Sequence, residues 1–88
     1  MKKSTKKFKI GEYAIGGIIQ VEIKDDLVTI KALDWENSDI VRFGQCSTNQ
    51  KDAEDLIDDF LYELTSSYWA DQVMTYIKTK VTFKQREW

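Results

Sequence analysis

The period of the hydrophobic pattern changes once along this chain, and that change limits the folds open to it. Between residues 17 and 33, apolar residues recur at every second position, as in strands that bury one face. After Ser47-Thr48-Asn49 they recur at intervals of three and four, as on one side of a helix. A sheet followed by helices is therefore predicted, with the apolar sides of the two layers packed together.

The alternating runs predict a central β-hairpin closed by the turn Asp25-Asp26. A third strand is expected over residues 40–43, with Val41 and Phe43 on the inner face and Gly44 at its end. A fourth strand is expected upstream, bent or bulged where Gly11 and Gly16-Gly17 break the alternation. The expected inner-face residues of the hairpin are Ile19, Val21, Ile23, Val28, Ile30 and Ala32.

Two amphipathic helices are predicted after residue 48, separated by Thr65-Ser66-Ser67. Asn49 or Thr48 is expected to cap the first. The result is an α+β fold, a three- or four-stranded antiparallel sheet followed by two helices packed on one face (β-β-β-α-α), in one domain of residues 1–88. Residues 1–7 are expected as a flexible basic segment and 84–88 as a C-terminal tail. The apolar stripes are Ala53, Leu56, Ile57, Phe60, Leu61 and Leu64, then Trp69, Val73, Ile77 and Val81.

Charge is divided into three blocks along the chain. Residues 1–9 carry five lysines and no acid, residues 10–77 carry fourteen acids against four bases, and residues 78–88 carry four bases against one acid. An acidic body repels bare nucleic acid and attracts basic protein surfaces. The composition therefore favours a protein partner over direct binding of nucleic acid.

The residue types in the chain give little support for a catalytic function. The chain has no histidine, the usual general acid or base near neutral pH, and its one cysteine, Cys46, has no histidine to activate it. A half-buried, unreactive thiol is expected there, in a reducing and cytoplasmic setting. Asp55, Asp58 and Asp59 could share a magnesium ion, but a solvated helix face explains them more simply. We therefore expect no enzyme activity, cofactor or metal.

The outward side of the first helix is the main candidate for binding a partner. Its carboxylates surround one aromatic side chain and can accept charge-assisted hydrogen bonds from arginine or lysine, as phosphates do. Solubility alone would also explain such a surface. We call it the acidic face, and its residues are Asp52, Asp55, Asp58, Asp59, Tyr62 and Glu63.

A second candidate surface is the outer face of the sheet, where Trp35 and Leu33 are expected beside Arg42. Exposed aromatic residues near arginine are common at protein interfaces. The competing expectation is that Trp35 folds over the sheet edge. Self-association through this face is one alternative function, and binding of nucleic acid by the lysine-rich ends is another.

The small size, the Lys, Ile and Asp bias and the acidic helix at residues 52–63 resemble small accessory proteins of phages and mobile elements. Within that class the chain is similar to acidic inhibitors such as anti-CRISPR proteins. The resemblance implies a non-enzymatic module that binds a basic protein surface and inhibits a nucleic-acid enzyme inside a bacterial host cell.

Overall fold

The computed structural model of the protein describes residues 3–83. Four antiparallel strands lie in the order β1-β2-β3-β4, so each strand pairs with its neighbour in sequence. Two helices follow, which confirms the predicted α+β arrangement with a fourth strand. The elements are β1 (Lys3–Lys9), a short 3-10 turn (Gly11–Tyr13), β2 (Gly17–Lys24), β3 (Leu27–Asp34), β4 (Ile40–Ser47), α1 (Ala53–Leu64) and α2 (Ser67–Lys80).

The core lies between the inner face of the sheet and the two helices. The inner-face residues predicted for β2 and β3 are all buried, and Ile19, Val21 and Ala32 are fully so. Burying a valine, leucine or isoleucine side chain contributes about 1.5–3 kcal/mol, so this layer dominates the stability. The helices contribute Ile57, Leu61, Leu64, Ala70, Val73, Met74 and Ile77 to the same cluster.

The predicted facing of β4 is wrong. Gly44 pairs with Ile30 and Phe43 with Lys31, and directly opposed residues share a face of the sheet. Phe43 therefore lies on the outer face, 54% exposed, and Val41 is also exposed. A β-bulge near Ala32 accounts for the position of Val41, since it leaves one extra residue in β4 and shifts the alternation.

Close packing of α1 explains why glycine occupies the inner face of β4. A Cβ atom added to Gly44 would lie 2.7 Å from a ring carbon of Phe60, so no larger residue fits without moving that ring. A phenylalanine side chain of β4 directed at the same place would displace the helix. The inner face of β4 is thus shaped by the helix above it.

The basic start of the chain belongs to the sheet. Residues 3–7, expected to be flexible, form most of β1, which pairs regularly with β2 from Lys3 opposite Lys24 to Lys9 opposite Ile18. The chain bends only after Lys9, in the 3-10 turn. The predicted C-terminal tail, residues 84–88, and residues 1–2 lie outside the described residues.

The predicted cap of α1 is also wrong. Asp52 precedes the first helical residue, and its side chain makes no capping hydrogen bond. Thr48 and Asn49 instead secure the preceding loop to the β2–β3 turn, because the Thr48 amide donates to the Asp26 carbonyl over 2.7 Å and the Asn49 side chain binds the Asp26 carboxylate.

Among residues 3–83, no helix is both long and apolar enough to cross a membrane.

The segment between β1 and β2 ties the sheet to the junction of the helices. The Ile15 amide donates to the Leu64 carbonyl over 2.8 Å, and Ala14 forms a bridge with Thr65. Gly16 stands within this segment at φ +76°, where a Cβ atom would lie 2.5 Å from the Leu33 carbonyl oxygen. Only glycine permits this approach of two backbones.

Replacing Gly16 with alanine should therefore cost more stability than the same change at Gly11. Gly11 has a similar φ of +83°, but a Cβ atom there would meet nothing within 4 Å. Both changes incur about 1–2 kcal/mol for the left-handed conformation. Gly16→Ala should lower the free energy of unfolding by about 1–3 kcal/mol more, since it also strains the backbone. Chemical denaturation measures both, and equal losses would contradict the contact with Leu33.

Candidate functional site: the acidic face and its surroundings

Helix α1 turns its predicted acidic face away from the core. Ala53, Ile57, Leu61 and Leu64 define the buried side. At about 100° per residue, the acidic-face residues then occupy a continuous arc on the opposite side. All of them are exposed except Asp58, which is half-buried. The side chains of this arc thus lie on the solvent side of α1, whereas Leu56, assigned to the apolar side, is 46% exposed at its margin.

A second helix extends the acidic face on one side. Asp71 of α2 lies across a groove of about 270 Å³ from Asp58, and the groove is also lined by Glu54 and Asp55. Lys78 supplies a positive charge to this groove, with its Nζ atom 2.9 Å from a carboxylate oxygen of Glu54. Acids therefore outnumber bases in the groove, and the negative surface spans both helices.

Burial and neighbouring negative charges change the protonation of two groups here, Asp58 and Tyr62. The pKa of Asp58 is raised, first by burial and then by the negative charges of Asp71 and Asp59, while Lys78 opposes the rise. The pKa of Tyr62 is raised by the charges of Asp71 and Asp58, and its hydroxyl lies 3.5 Å from a carboxylate oxygen of Asp71. A cation placed here would relieve this repulsion.

On its other side, the acidic face meets β4. A guanidinium nitrogen of Arg42 lies 3.5 Å from a carboxylate oxygen of Glu63. Arg42 was expected on the outer face of the sheet, but it pairs with Ala32 and therefore lies on the inner, helix-covered face. The prediction of an Arg42 and Trp35 surface is wrong for this reason. Arg42 instead neutralises one end of the acidic face.

The outer face of the sheet differs from the second predicted surface. Leu33 is buried, at 5% exposure, so it offers little to a partner. Trp35 is 53% exposed, although its side chain also lies against Gly17, where an added Cβ would meet the Trp35 Cβ at 3.1 Å. Ile40 and Phe43 of β4 are further exposed apolar side chains.

The lysines of β1 lie at the opposite edge of the sheet from β4. Lys3 and Lys31 both approach the Glu22 carboxylate, at 3.8 Å and 3.3 Å. Lys6 lies over the rings of Phe8 and Tyr76, with its Nζ atom 5.4 Å and 5.7 Å from their centres. Lys3 and Lys6 thus have partners within the fold, and the basic charge of the N-terminal block lies along the ordered strand β1.

Cys46 lies half-buried on the inner face of β4. Burial raises the pKa of its thiol, which is the opposite of what thiolate reactivity requires. Its sulfur lies 3.5 Å from the Ser47 carbonyl oxygen and from the Gln50 side-chain oxygen. Within residues 3–83, no three His, Cys, Asp or Glu side chains are grouped so as to hold a metal ion.

Comparison with models of protein families, with curated proteins and with solved structures finds no match for this chain.

One residue of this region, Asp71, was not predicted from the sequence, and a second, Arg42, was predicted on the wrong face of the sheet. Asp71 stands among the polar residues of α2, and only the packing of the helices brings it to Asp58 and Tyr62. The alternation of Val41 and Phe43 predicts Arg42 on the outer face, but the register with β3 places it opposite Ala32 on the inner face. The one signal for Asp71 in the sequence was that it is the first acidic residue after those of α1.

Replacing Asp58 with asparagine should stabilise the protein at neutral pH. A carboxyl group whose pKa is raised by folding binds its proton more tightly in the folded state, so its ionisation costs stability above that pKa. The gain from Asp58→Asn should be complete above the raised pKa and should disappear as the pH falls through it towards the ordinary aspartate value.

Thermal unfolding of both proteins across this pH range measures the effect. Glu36→Asn, at an exposed turn position away from α1, serves as the control for loss of one negative charge. A gain for Asp58→Asn that stayed the same in acid would contradict an electrostatic origin.

Proposed function

We propose that this protein is a non-enzymatic interaction module that binds a basic protein surface through the acidic face, enlarged by Asp71. The groove between α1 and α2 carries the proposal, because acids of both helices, Asp58 and Asp71 among them, line it together. The raised pKa of Asp58, caused first by burial and then by the charges of Asp71 and Asp59, is consistent with this arrangement.

The arrangement suits imitation of a nucleic-acid backbone. Carboxylates on successive turns of one helix present acceptor oxygens to lysine and arginine side chains, and Tyr62 supplies an aromatic surface among them, 47% exposed. A groove that binds phosphates has the complementary charge. Together with the resemblance to anti-CRISPR-like inhibitors, this favours a nucleic-acid enzyme as the partner, inhibited by occupation of its basic groove in the cytoplasm of a bacterial host.

The ordered lysines of β1 support an alternative, in which the protein binds nucleic acid itself. Lys3, Lys6, Lys7 and Lys9 stand within one strand and make one edge of the sheet basic. Deleting residues 1–7 would remove most of β1, so Lys7→Gln together with Lys9→Gln is the better test. Loss of binding to a DNA or RNA duplex in that variant, with no protein partner recovered, would favour this alternative.

Reversing two charges of the acidic face should abolish binding to the partner. Asp55→Lys with Asp59→Lys changes two exposed positions and leaves the half-buried Asp58 intact, so the fold should persist. The tagged protein is immobilised, exposed to a bacterial lysate at low salt and eluted with a salt gradient. We expect a basic nucleic-acid enzyme to be retained by the original chain, to elute as salt rises and to be lost with the variant.

Glu36→Lys with Asp39→Lys provides the matched control, because it makes the same change in net charge at exposed positions of the β3–β4 turn. It should retain the partner. A nucleic-acid duplex added in excess should displace the chain from the enzyme. The proposal is refuted if both double variants bind equally well, or if the duplex and the chain bind the enzyme together.

A further inference from the structure

The two edges of the sheet are protected unequally. An unpaired edge strand presents free amide and carbonyl groups, and lysines are a common defence against pairing with another chain. β1 carries four lysines in seven residues. β4 carries one charged residue, Arg42, and that residue is engaged with Glu63. In the described part of the chain, no strand pairs with the outer side of β4.

The bulge of β4 leaves most of this edge regular. Register with β3 is continuous from Arg42 opposite Ala32 to Ser47 opposite Leu27, and the irregularity lies before it. Six residues, about the usual length of a strand, are therefore open to pairing.

An apolar groove adjoins the same edge. It has a volume of about 290 Å³ and opens between β4 and α1, with Gly44 and Cys46 on one side and Leu56 and Phe60 on the other. The Phe60 ring lies directly over Gly44 and forms one wall of the groove. A strand added to β4 would direct every second side chain into this groove, because side chains alternate between the faces of a sheet.

The charge beside the groove specifies the occupant. Leu56, Asp59, Phe60 and Glu63 are spaced at i, i+3, i+4 and i+7, so they share one side of α1. The apolar members line the groove, and Asp59 stands exposed beside them. Arg42 offsets one of the two carboxylates, so this side of α1 keeps a net negative charge, and two-fold pairing of β4 with a second copy of the chain would bring like charge together. A basic segment encounters the opposite sign of charge.

We propose that β4 is a strand-addition site for an extended, basic segment of a partner protein, with apolar side chains in the groove and lysine or arginine beside α1. This inference deepens the proposed function, on which it rests for the nature of the partner. It assigns an ordered docking mode to one side of the acidic face.

A peptide that alternates valine with lysine over about eight residues, with blocked termini, is a suitable probe because it covers one strand length. A serine–lysine peptide of equal length and charge is its control. In nuclear magnetic resonance titrations, the first peptide should shift the amide signals of residues 42–47 and of Phe60 and should slow amide exchange in β4. The control peptide should bind at least about tenfold more weakly, since it buries no apolar side chain.

Leu56→Lys tests the groove, and Ile40→Lys is its control. Both add one lysine at an exposed apolar position, but Ile40 precedes the regular part of β4 and does not line the groove. Leu56→Lys should weaken the valine–lysine peptide about tenfold or more, and Ile40→Lys should leave its affinity unchanged.

Several results would overturn the inference. Signals that shift only on the outward side of α1, equal losses in both variants, or no binding at millimolar peptide would each do so. A mass that rises with protein concentration, with β4 shifts in the absence of peptide, would assign the edge to a second copy. If Leu56→Lys still retained the lysate partner, strand addition would be refuted and the acidic-face proposal would stand. If the peptide bound β4 but no lysate partner were retained, strand addition would stand and the acidic-face proposal would fail.

Discussion

The contact between Phe60 of α1 and Gly44 of β4 determines how the remaining surfaces are arranged. Because the ring occupies the space above Gly44, β4 must place a residue without a side chain on its inner face. That register directs Arg42 towards α1, where it meets Glu63, and directs Phe43 to the outer face. It also leaves the gap beside Cys46 that forms the apolar groove. One packing contact thus sets the positions of a salt bridge, an exposed aromatic residue and a groove.

The central hairpin and both helices could be predicted because their buried apolar residues recur at the period of a strand or of a helix. Ile19, Val21, Val28 and Ile30 alternate without interruption, and the turn at Asp25-Asp26 falls where the alternation pauses. The facing of β4 could not be predicted in the same way. Its apolar residues point outwards, and its inner face is marked by a glycine, which carries no hydropathy signal. The bulge at Val41 depends on pairing with β3 and has no local signature.

The candidate site likewise has one part that the sequence predicts and one part that it does not. The residues of the acidic face lie on one helix, so helical periodicity was enough to predict that they share an exposed side. Asp71 joins it only through the packing of α2 on α1, and Arg42 reaches Glu63 only through the register of a strand. Contacts between elements distant in sequence were therefore the part that the sequence could not supply. They also make the α2 side of the acidic face more negative and reduce, without cancelling, the negative charge on the β4 side.

The meander order of the strands has a consequence for synthesis. Every strand pairs with the preceding one, so the whole sheet is available once Ser47 has been made, while α2 ends at Lys80. At about 5–20 residues per second, the inner face awaits its helices for roughly 2–7 s. During that interval the lysines of β1 oppose pairing of one sheet edge with another chain, whereas β4 and the uncovered apolar face lack such charges. The apolar face stays open to other chains until α2 packs its Ile77 against the sheet core that contains Val21.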